Sequence, residues 1–176
     1  RAAFDDRLGT PLPLIAAGDV RRTLSEFPLI ETYSTESVPP GTLVVRIVER
    51  TPVGVVETSS GFVSADAAGV VIERHDDPPE GLPLVSAEGG LDGDAYRAAG
   101  AVLRSLPAEL RAGVARVTAD TPDDVRLELS AGAVVVWGNA DESSTKAAVL
   151  GRLMAAAPPD QVDRYDVSAP LSPVTD

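Results

Sequence analysis

Thr42-Leu43-Val44-Val45-Arg46-Ile47-Val48-Glu49-Arg50-Thr51-Pro52-Val53 is the stretch from which the fold can be read. Leu43, Val45 and Ile47 occupy alternate positions with Arg46 between them, the period of a half-buried strand. Pro52 has no N–H to give to a ladder, so the strand is bounded at Arg50. Upstream, Val38-Pro39-Pro40-Gly41 reads as a turn and Leu29–Ser34 as a weak strand. Ala2–Leu8 reads as a short helix closed by Gly9, with Thr10–Pro13 as a rigid loop. Asp19 is placed to N-cap a second helix, Val20–Glu26, which is expected to bury Val20, Leu24 and Phe27. The opening portion therefore reads helix, helix, strand, strand.

Beyond Pro52 the pattern changes. Short strands are expected at Val53–Glu57, Phe62–Ser64 and Val70–Glu73, with Asp66-Ala67-Ala68-Gly69 as a turn. His75–Pro83 is charged and proline-rich and reads as a surface loop. Asp92 or Asp94 can cap a helix reaching Leu106, whose Tyr96, Ala99, Leu103 and Leu106 follow helical spacing. Pro107 opens a short helix ending near Gly113. Val114–Ala119, Val125–Leu129 and Ala133–Trp137 read as strands, the last two joined at Ser130-Ala131-Gly132. Asp141 or Ser143 caps a helix over Thr145–Ala156, and Tyr165–Val167 is a final strand. The fold class is α+β. Two units are expected: residues 1–52, helices plus a small sheet, and 53–176, rich in strands with flanking helices.

Bulk properties exclude several functions. The 176 residues suffice for one ordinary domain or two small ones, and a 44% apolar content can build a core. A net charge of −12 repels phosphate backbones, so no nucleic-acid partner is expected. With no cysteine, thiol catalysis, cysteine zinc sites and disulfides are ruled out. No apolar run approaches the ~18 residues of a membrane helix. No signal-peptide pattern opens the chain, and Arg1 reads as following a longer N-terminal portion.

No catalytic constellation is visible. His75, the single histidine, stands in Arg74-His75-Asp76-Asp77 but has no nucleophile placed by any motif, so an exposed loop histidine is the plainer reading. Asp76, Asp77 and Glu80 form one acidic cluster and Asp120, Asp123 and Asp124 another. Neither has the ordered oxygen spacing of a calcium loop, so no metal is expected. Thr58-Ser59-Ser60-Gly61 and Glu88-Gly89-Gly90-Leu91 do not open a helix after a strand, as a phosphate cradle must, and no cofactor is expected. Trp137 is either a partner anchor or a buried strand end. Binding needs none of these groups, and a sheet with a free edge can accept a partner strand through its main chain.

An ordered set of segments resembles the FtsQ/DivIB cell-division family. Thr42–Val53, with Glu49-Arg50-Thr51-Pro52, looks like the family's signature. Gly9-Thr10-Pro11-Leu12 and Leu24–Ile30 resemble the second-helix region of its POTRA domain. Gly61–Val71 resembles its "LVD-x-x-G-V-V" hairpin, and Leu82-Pro83-Leu84-Val85 its "LP-hydrophobic" step. Trp137-Gly138, Lys146 and Tyr165-Asp166-Val167-Ser168 follow in order. Two departures stand out: no strand precedes Ala2, and Val38 stands where the family often has Trp.

The resemblance implies a POTRA-like unit over 1–52, lacking its first strand, and a β domain over 53–176 ending in an edge strand. It implies a non-catalytic scaffold, anchored in the cell membrane by an N-terminal helix not in this sequence, with this chain on the extracytoplasmic side. Its expected partners are divisome proteins of the FtsB and FtsL type. The expected partner site is the last strand and its surroundings: Tyr165, Asp166, Val167, Ser168, Ala169, Leu171 and Asn139, with the Thr145–Ala156 helix contributing. Glu49, Arg50 and Pro52 are expected to hold the junction between units. The alternatives are another POTRA-type assembly scaffold, which would repeat its helix-helix-strand-strand unit, and a metal-dependent hydrolase using the acidic clusters.

Overall fold

A computed structural model describes residues 4–5 and 8–176. The chain divides into two compact units, Arg1–Arg50 and Thr51–Asp176. The helix expected over Ala2–Leu8 falls largely outside the described residues.

In the first unit, helix α1 (Ala17–Ser25) is followed by the antiparallel strands β1 (Ile30–Val38) and β2 (Thr42–Glu49). Helix α1 begins three residues before the expected Val20, and Ala16 stands at its N-cap without a side-chain bond. Asp19 lies in the first turn instead, where a carboxylate favours the helix dipole, and it pairs with Arg22 at 3.4 Å. Val20 and Leu24 are buried, as their spacing requires, but Phe27, expected with them, lies beyond the end of α1 and is exposed. Strand β1 runs four residues past the expected Ser34, because β2 pairs with it as far as Val38↔Thr42.

The second unit contains one nine-stranded sheet. Its strands are β3 (Gly54–Thr58), β4 (Gly61–Ala65), β5 (Val71–His75), β6 (Leu84–Ala87), β7 (Val114–Ala119), β8 (Val125–Leu129), β9 (Val134–Gly138), β10 (Arg164–Asp166) and β11 (Val174–Thr175). Their order across the sheet is β11-β10-β9-β8-β7-β6-β3-β4-β5. Two antiparallel meanders, β3–β5 and β7–β9, flank β6, which pairs in parallel with both β3 and β7. Parallel neighbours need a crossover. Helices α2 (Asp94–Ser105) and α3 (Ala108–Ala112) make the one from β6 to β7, and α4 (Ser143–Ala156) makes the one from β9 to its parallel partner β10.

Helix α2 packs on β6, β7, β8 and α4. The strands accordingly alternate: in β8, Val125, Leu127 and Leu129 are buried while Arg126 and Glu128 are exposed. Trp137 is fully buried in the core with Tyr96, Leu103, Leu127, Val135, Leu150 and Tyr165, not on the surface.

A turn fixes α2 to the first meander. Asp66 is 5% exposed, and its Oδ1 accepts the N–H groups of Ala68 (2.9 Å) and Val70 (2.8 Å). The Tyr96 hydroxyl donates to the Asp66 carbonyl at 3.1 Å. A Cβ on Gly100 would stand 2.6 Å from the Ala67 carbonyl oxygen, so the helix approaches the turn as closely as glycine allows.

Three further expectations are corrected. His75 ends strand β5 and lies 3.2 Å from the Ser64 hydroxyl, so it is not a loop residue. Leu84–Ala87, read only as a step after Pro83, is the strand β6. Neither Asp141 nor Ser143 caps α4 through its side chain; Glu142 is the N-cap, at φ 51. The Ser143 hydroxyl is already engaged, accepting the Trp137 Nε1–H at 3.1 Å and donating to the Ala140 carbonyl at 2.7 Å.

The two helical glycines of the large unit should respond oppositely to alanine. Gly151 in α4 has nothing within 4 Å of a built Cβ, so Gly151→Ala should stabilise by about 0.5–1 kcal/mol. Gly100→Ala should instead destabilise by about 1–3 kcal/mol through overpacking against the turn. Denaturant unfolding of the two variants checks this; a stabilised Gly100→Ala would mean that the seat on Ala67 is not tight.

Candidate functional site

The sequence points to the chain around β10, and the structure brings most of the named residues together there. Strand β10 is three residues long. Its inner side pairs with β9 at Arg164↔Val134, Tyr165↔Val135 and Asp166↔Val136, and Val167 N–H donates to the Val136 carbonyl at 3.0 Å. Tyr165 and Val167 are fully buried. The Tyr165 hydroxyl donates to the carbonyl of Ala157, at the end of α4. Burial pushes this phenol up from its ordinary value, with Asp160 adding to the rise. Tyr165 and Val167 are therefore core anchors that hold β10 in place, while Arg164 and Asp166 face the other way.

Asp166 fixes the chain after the strand. Its Oδ1 accepts the Ser168 N–H at 3.1 Å and the Ser168 hydroxyl at 2.6 Å, and its Oδ2 accepts from Arg164 at 2.8 Å. Partial burial disfavours the carboxylate, but the two Ser168 bonds and Arg164 outweigh it and hold the pKa below the usual carboxylate value. Gly138, at φ +75, ends β9 beside this turn, where a Cβ would stand 3.2 Å from Ser168 Cβ. Ala169 and Leu171 are exposed, Leu171 at 93%.

Asn139, read from the sequence as a partner contact, has both of its oxygens engaged internally. Its carbonyl and amide oxygens accept from Lys146 Nζ at 3.0 and 3.1 Å, and Oδ1 also accepts the Asp141 N–H. Lys146 is 2% exposed. Burial lowers its pKa, opposed by Asp141 and Glu142. This ammonium ties the β9–α4 loop to the first turns of α4. The sequence carried a signal for it, since Lys146 is the single lysine in a chain otherwise using arginine.

The region after Val167 departs from expectation. Tyr165–Val167 reads as the final, edge strand, but Val174 and Thr175 fold back as β11, pairing antiparallel at Asp166↔Val174 and Tyr165↔Thr175. Arg164 and Asp176 exchange backbone bonds, Arg164 N–H to Asp176 at 3.3 Å and Asp176 N–H to Arg164 at 3.1 Å. The prolines do not prevent this because Pro170 and Pro173 both lie outside the paired residues. Strand β11 is now one outermost strand and β5 the other.

Of the remaining candidates, Glu49 and Arg50 belong to the first unit and Pro52 to the second. Arg50 donates from Nε to the Pro28 carbonyl and from its backbone to Leu29, both at 2.8 Å, while Glu49 lies opposite Ile30 in the β1–β2 hairpin. Pro52 is exposed, ahead of β3. Of the acidic residues, Asp124 pairs with Arg126 at 2.9 Å. Among the described residues no group of three or more His, Asp or Glu side chains is arranged to hold a metal. A cavity of about 690 Å³ in the first unit is lined by Leu8, Leu12 and Ile15 and by Leu43, Val45 and Ile47 of β2. Among the described residues no helix is long and apolar enough to cross a membrane.

Comparison with known proteins adds to this geometry. Residues 54–168 match the family described as "Cell division protein FtsQ/DivIB, C-terminal". Proteins named cell division protein FtsQ from Streptomyces griseus and Streptomyces bingchenggensis are 34% and 33% identical, each over 94% of this chain. The one from Mycolicibacterium smegmatis is 33% identical over 94%. The chain spans 83%, 65% and 48% of those three relatives, respectively. A solved structure of the major extracytoplasmic domain of the cell division protein DivIB from Geobacillus stearothermophilus aligns with 62% of this chain and 94% of its own, at 18% identity and a TM-score of 0.48.

The Asp166 turn makes a titration prediction. A depressed carboxyl contributes stability that is present above its unfolded value and is lost as pH falls through the folded one. Ser168→Ala removes one of the bonds that hold it down, so the Asp166 carboxyl should titrate closer to the ordinary carboxylate range and the variant should lose its acid resistance at higher pH. NMR titration of the side-chain carboxyl reads this; an unmoved titration would leave the residue-168 backbone N–H and Arg164 as its causes.

Proposed function

From its membership of the FtsQ/DivIB cell-division family, which the matches to residues 54–168 and to its relatives show, we propose that this chain is a non-catalytic divisome scaffold that binds through strand addition at β10. Its partners on this reading are division proteins of the FtsB and FtsL type. The reading places the chain on the extracytoplasmic side of the cell membrane, behind an N-terminal membrane anchor, with residues 1–52 as a POTRA-like unit.

The observation that carries it is the two-sided character of β10. Its inner side is fixed by Tyr165, Val167 and the β9 ladder. Its outer backbone groups pair with Val174, Thr175 and Asp176, all exposed. Main-chain groups of a strand held in register give affinity without requiring particular side chains, which suits a site with no catalytic constellation. Asp166, Ser168, Ala169 and Leu171 would lie along the added strand, while Tyr165 and Val167 hold the edge from inside. Asn139 contributes by shaping the adjacent loop through Lys146, not by direct contact.

Direct measurement of binding to the extracytoplasmic segments of FtsB- and FtsL-type proteins tests this. Removing the chain from β10 onward would also strip Tyr165 and Val167 from the core, so a point change on the outer side is cleaner. Asp166→Pro, read against Asp166→Ala as the control for the lost carboxylate, takes one outward N–H from the edge and leaves the β9-facing groups of Tyr165 and Val167. It should weaken binding by about tenfold, the worth of one or two net hydrogen bonds. Full affinity in a variant that keeps its melting transition would move the site away from β10, with the first unit the next place to look.

A further inference from the structure

Residues 139–142 join β9 to α4, and two unfavourable features bracket them. Glu142 stands at φ 51, and among the described residues it is the single non-glycine in the left-handed region. Lys146, in the opening turn of α4, is 2% exposed. A buried ammonium loses its hydration, and the positive end of the helix dipole opposes a cation there. Ala147 and Leu150 beside it belong to the core, so a methionine or leucine would fill the same place with no charge to bury. Local strain of this kind persists where the surroundings over-determine it, and it gathers at functional sites.

Closing the link does not require the ammonium. The Trp137 indole donates to Ser143 and the Ser143 hydroxyl to the Ala140 carbonyl, which already closes it on the core side. What Lys146 adds is a grip on one residue, since its bonds at 3.0 and 3.1 Å both end on Asn139. One of those acceptors is the main-chain carbonyl, so the bond orients the backbone that follows Gly138. Gly138 is where this backbone meets the chain after β10: a Cβ on it would stand 3.2 Å from Ser168 Cβ and 3.6 Å from Ser168 Cα. Ser168 is tied to Asp166 through its N–H and its hydroxyl, and from it the chain runs through Ala169 to Leu171. A continuous path of contacts therefore leads from the buried ammonium, through Asn139 and Gly138, to Ser168.

We propose that Lys146 is a positioning residue for partner binding: by gripping Asn139 it holds Gly138 against Ser168 and so sets the course of the Ser168–Leu171 chain that the partner meets. The inference rests on the reading that this stretch belongs to the partner site. Lys146 touches no partner itself. It acts through the backbone at Gly138 and Asn139, and a binding surface loosened beneath its contact residues loses affinity while those residues stay in place. The charge is then retained for geometry, not for stability.

The chain has no cysteine, which permits a rescue at this position. Lys146→Met keeps the side-chain length and removes the charge. It should keep a cooperative melting transition, move the Gly138 and Ser168 amide NMR signals, and weaken binding of the FtsB-type extracytoplasmic segment by about tenfold. Lys146→Cys, unfolded, alkylated at sulfur by bromoethylamine with loss of bromide, and refolded, regains an ammonium at the lysine's length. It should recover both the signals and the affinity, and the unalkylated cysteine should not. Should Lys146→Met fail to fold, Asn139→Ala takes its place, since it removes one of the two acceptors; its loss should be about threefold. Full affinity in Lys146→Met, or in Asn139→Ala where that variant stands in, with Asp166→Pro still harmful, would overturn the positioning role and leave the site at β10 standing. Failure of the alkylated chain to recover would overturn it too, by showing that the ammonium is not what matters. Binding absent from the intact chain, or indifferent to Asp166→Pro as well, would remove the partner site and the proposal with it.

Discussion

Helix α2 meets the Asp66–Gly69 turn at a distance that only a glycine backbone permits, Gly100 against Ala67, and the large sheet depends on that contact. Two three-stranded meanders, β3–β5 and β7–β9, could each exist as an isolated antiparallel sheet, but each would leave an apolar face in water. They become one sheet through β6, which is parallel to both and so requires a long crossover before β7. That crossover contains α2. Where α2 lies therefore fixes β6, and β6 fixes the meanders with respect to each other. Tyr96 completes the arrangement: its hydroxyl satisfies the Asp66 carbonyl, whose own side chain caps the turn. Burial keeps that phenol protonated well above the usual range, consistent with its role as a donor in the core.

Strand elements with local signals were legible in the sequence, and those defined by distant partners were not. The alternation in Val125–Leu129 and the Ser130–Gly132 turn required only neighbouring residues to read, and both are where the pattern puts them. Leu84–Ala87 has four residues, no alternation and a proline before it. Its strand character comes from β3 and β7, far away in the chain. Helix starts failed for a related reason. Ser143 has the chemistry of an N-cap, but the buried Trp137 needs an acceptor for its indole N–H and takes that hydroxyl. Tertiary demand overrode local preference there.

The same logic divides the candidate site. The final apolar strand and the family resemblance point to one stretch of chain, but they do not separate the roles of its members. Tyr165, Asp166, Val167 and Ser168 read as one contiguous patch, whereas the pleat sends alternate residues to opposite sides. Two of them are buried anchors. Asn139 looked available because an asparagine in a loop after a strand usually is; its acceptors are filled by a lysine seven positions on. Lysine suits that place, since a compact ammonium can reach two oxygens of one residue within a closed turn, and a planar guanidinium is harder to fit. No local pattern would have shown the fold-back of β11, because it buries almost nothing and so leaves no periodicity to find.

A nine-stranded open sheet must protect two edges, and this one protects them by different physical means. Strand β5 ends in Glu73, Arg74 and His75, and side chains of this kind discourage a second chain from docking whether or not anything covers the backbone. That protection is permanent. Strand β10 has the opposite design. Its backbone is held in register from the inside by two buried side chains, by the β9 ladder and by the Asp166–Ser168 turn, with Lys146 bracing the loop next to it. Its outside pairs with Val174, Thr175 and Asp176, exposed residues that form the outermost strand there and its end. An edge already in strand geometry has little conformational entropy left to lose when another strand arrives, which is the main cost of associations of this type. Two buried side chains, one parallel ladder and the Asp166–Ser168 turn thus hold this side of the sheet in strand geometry.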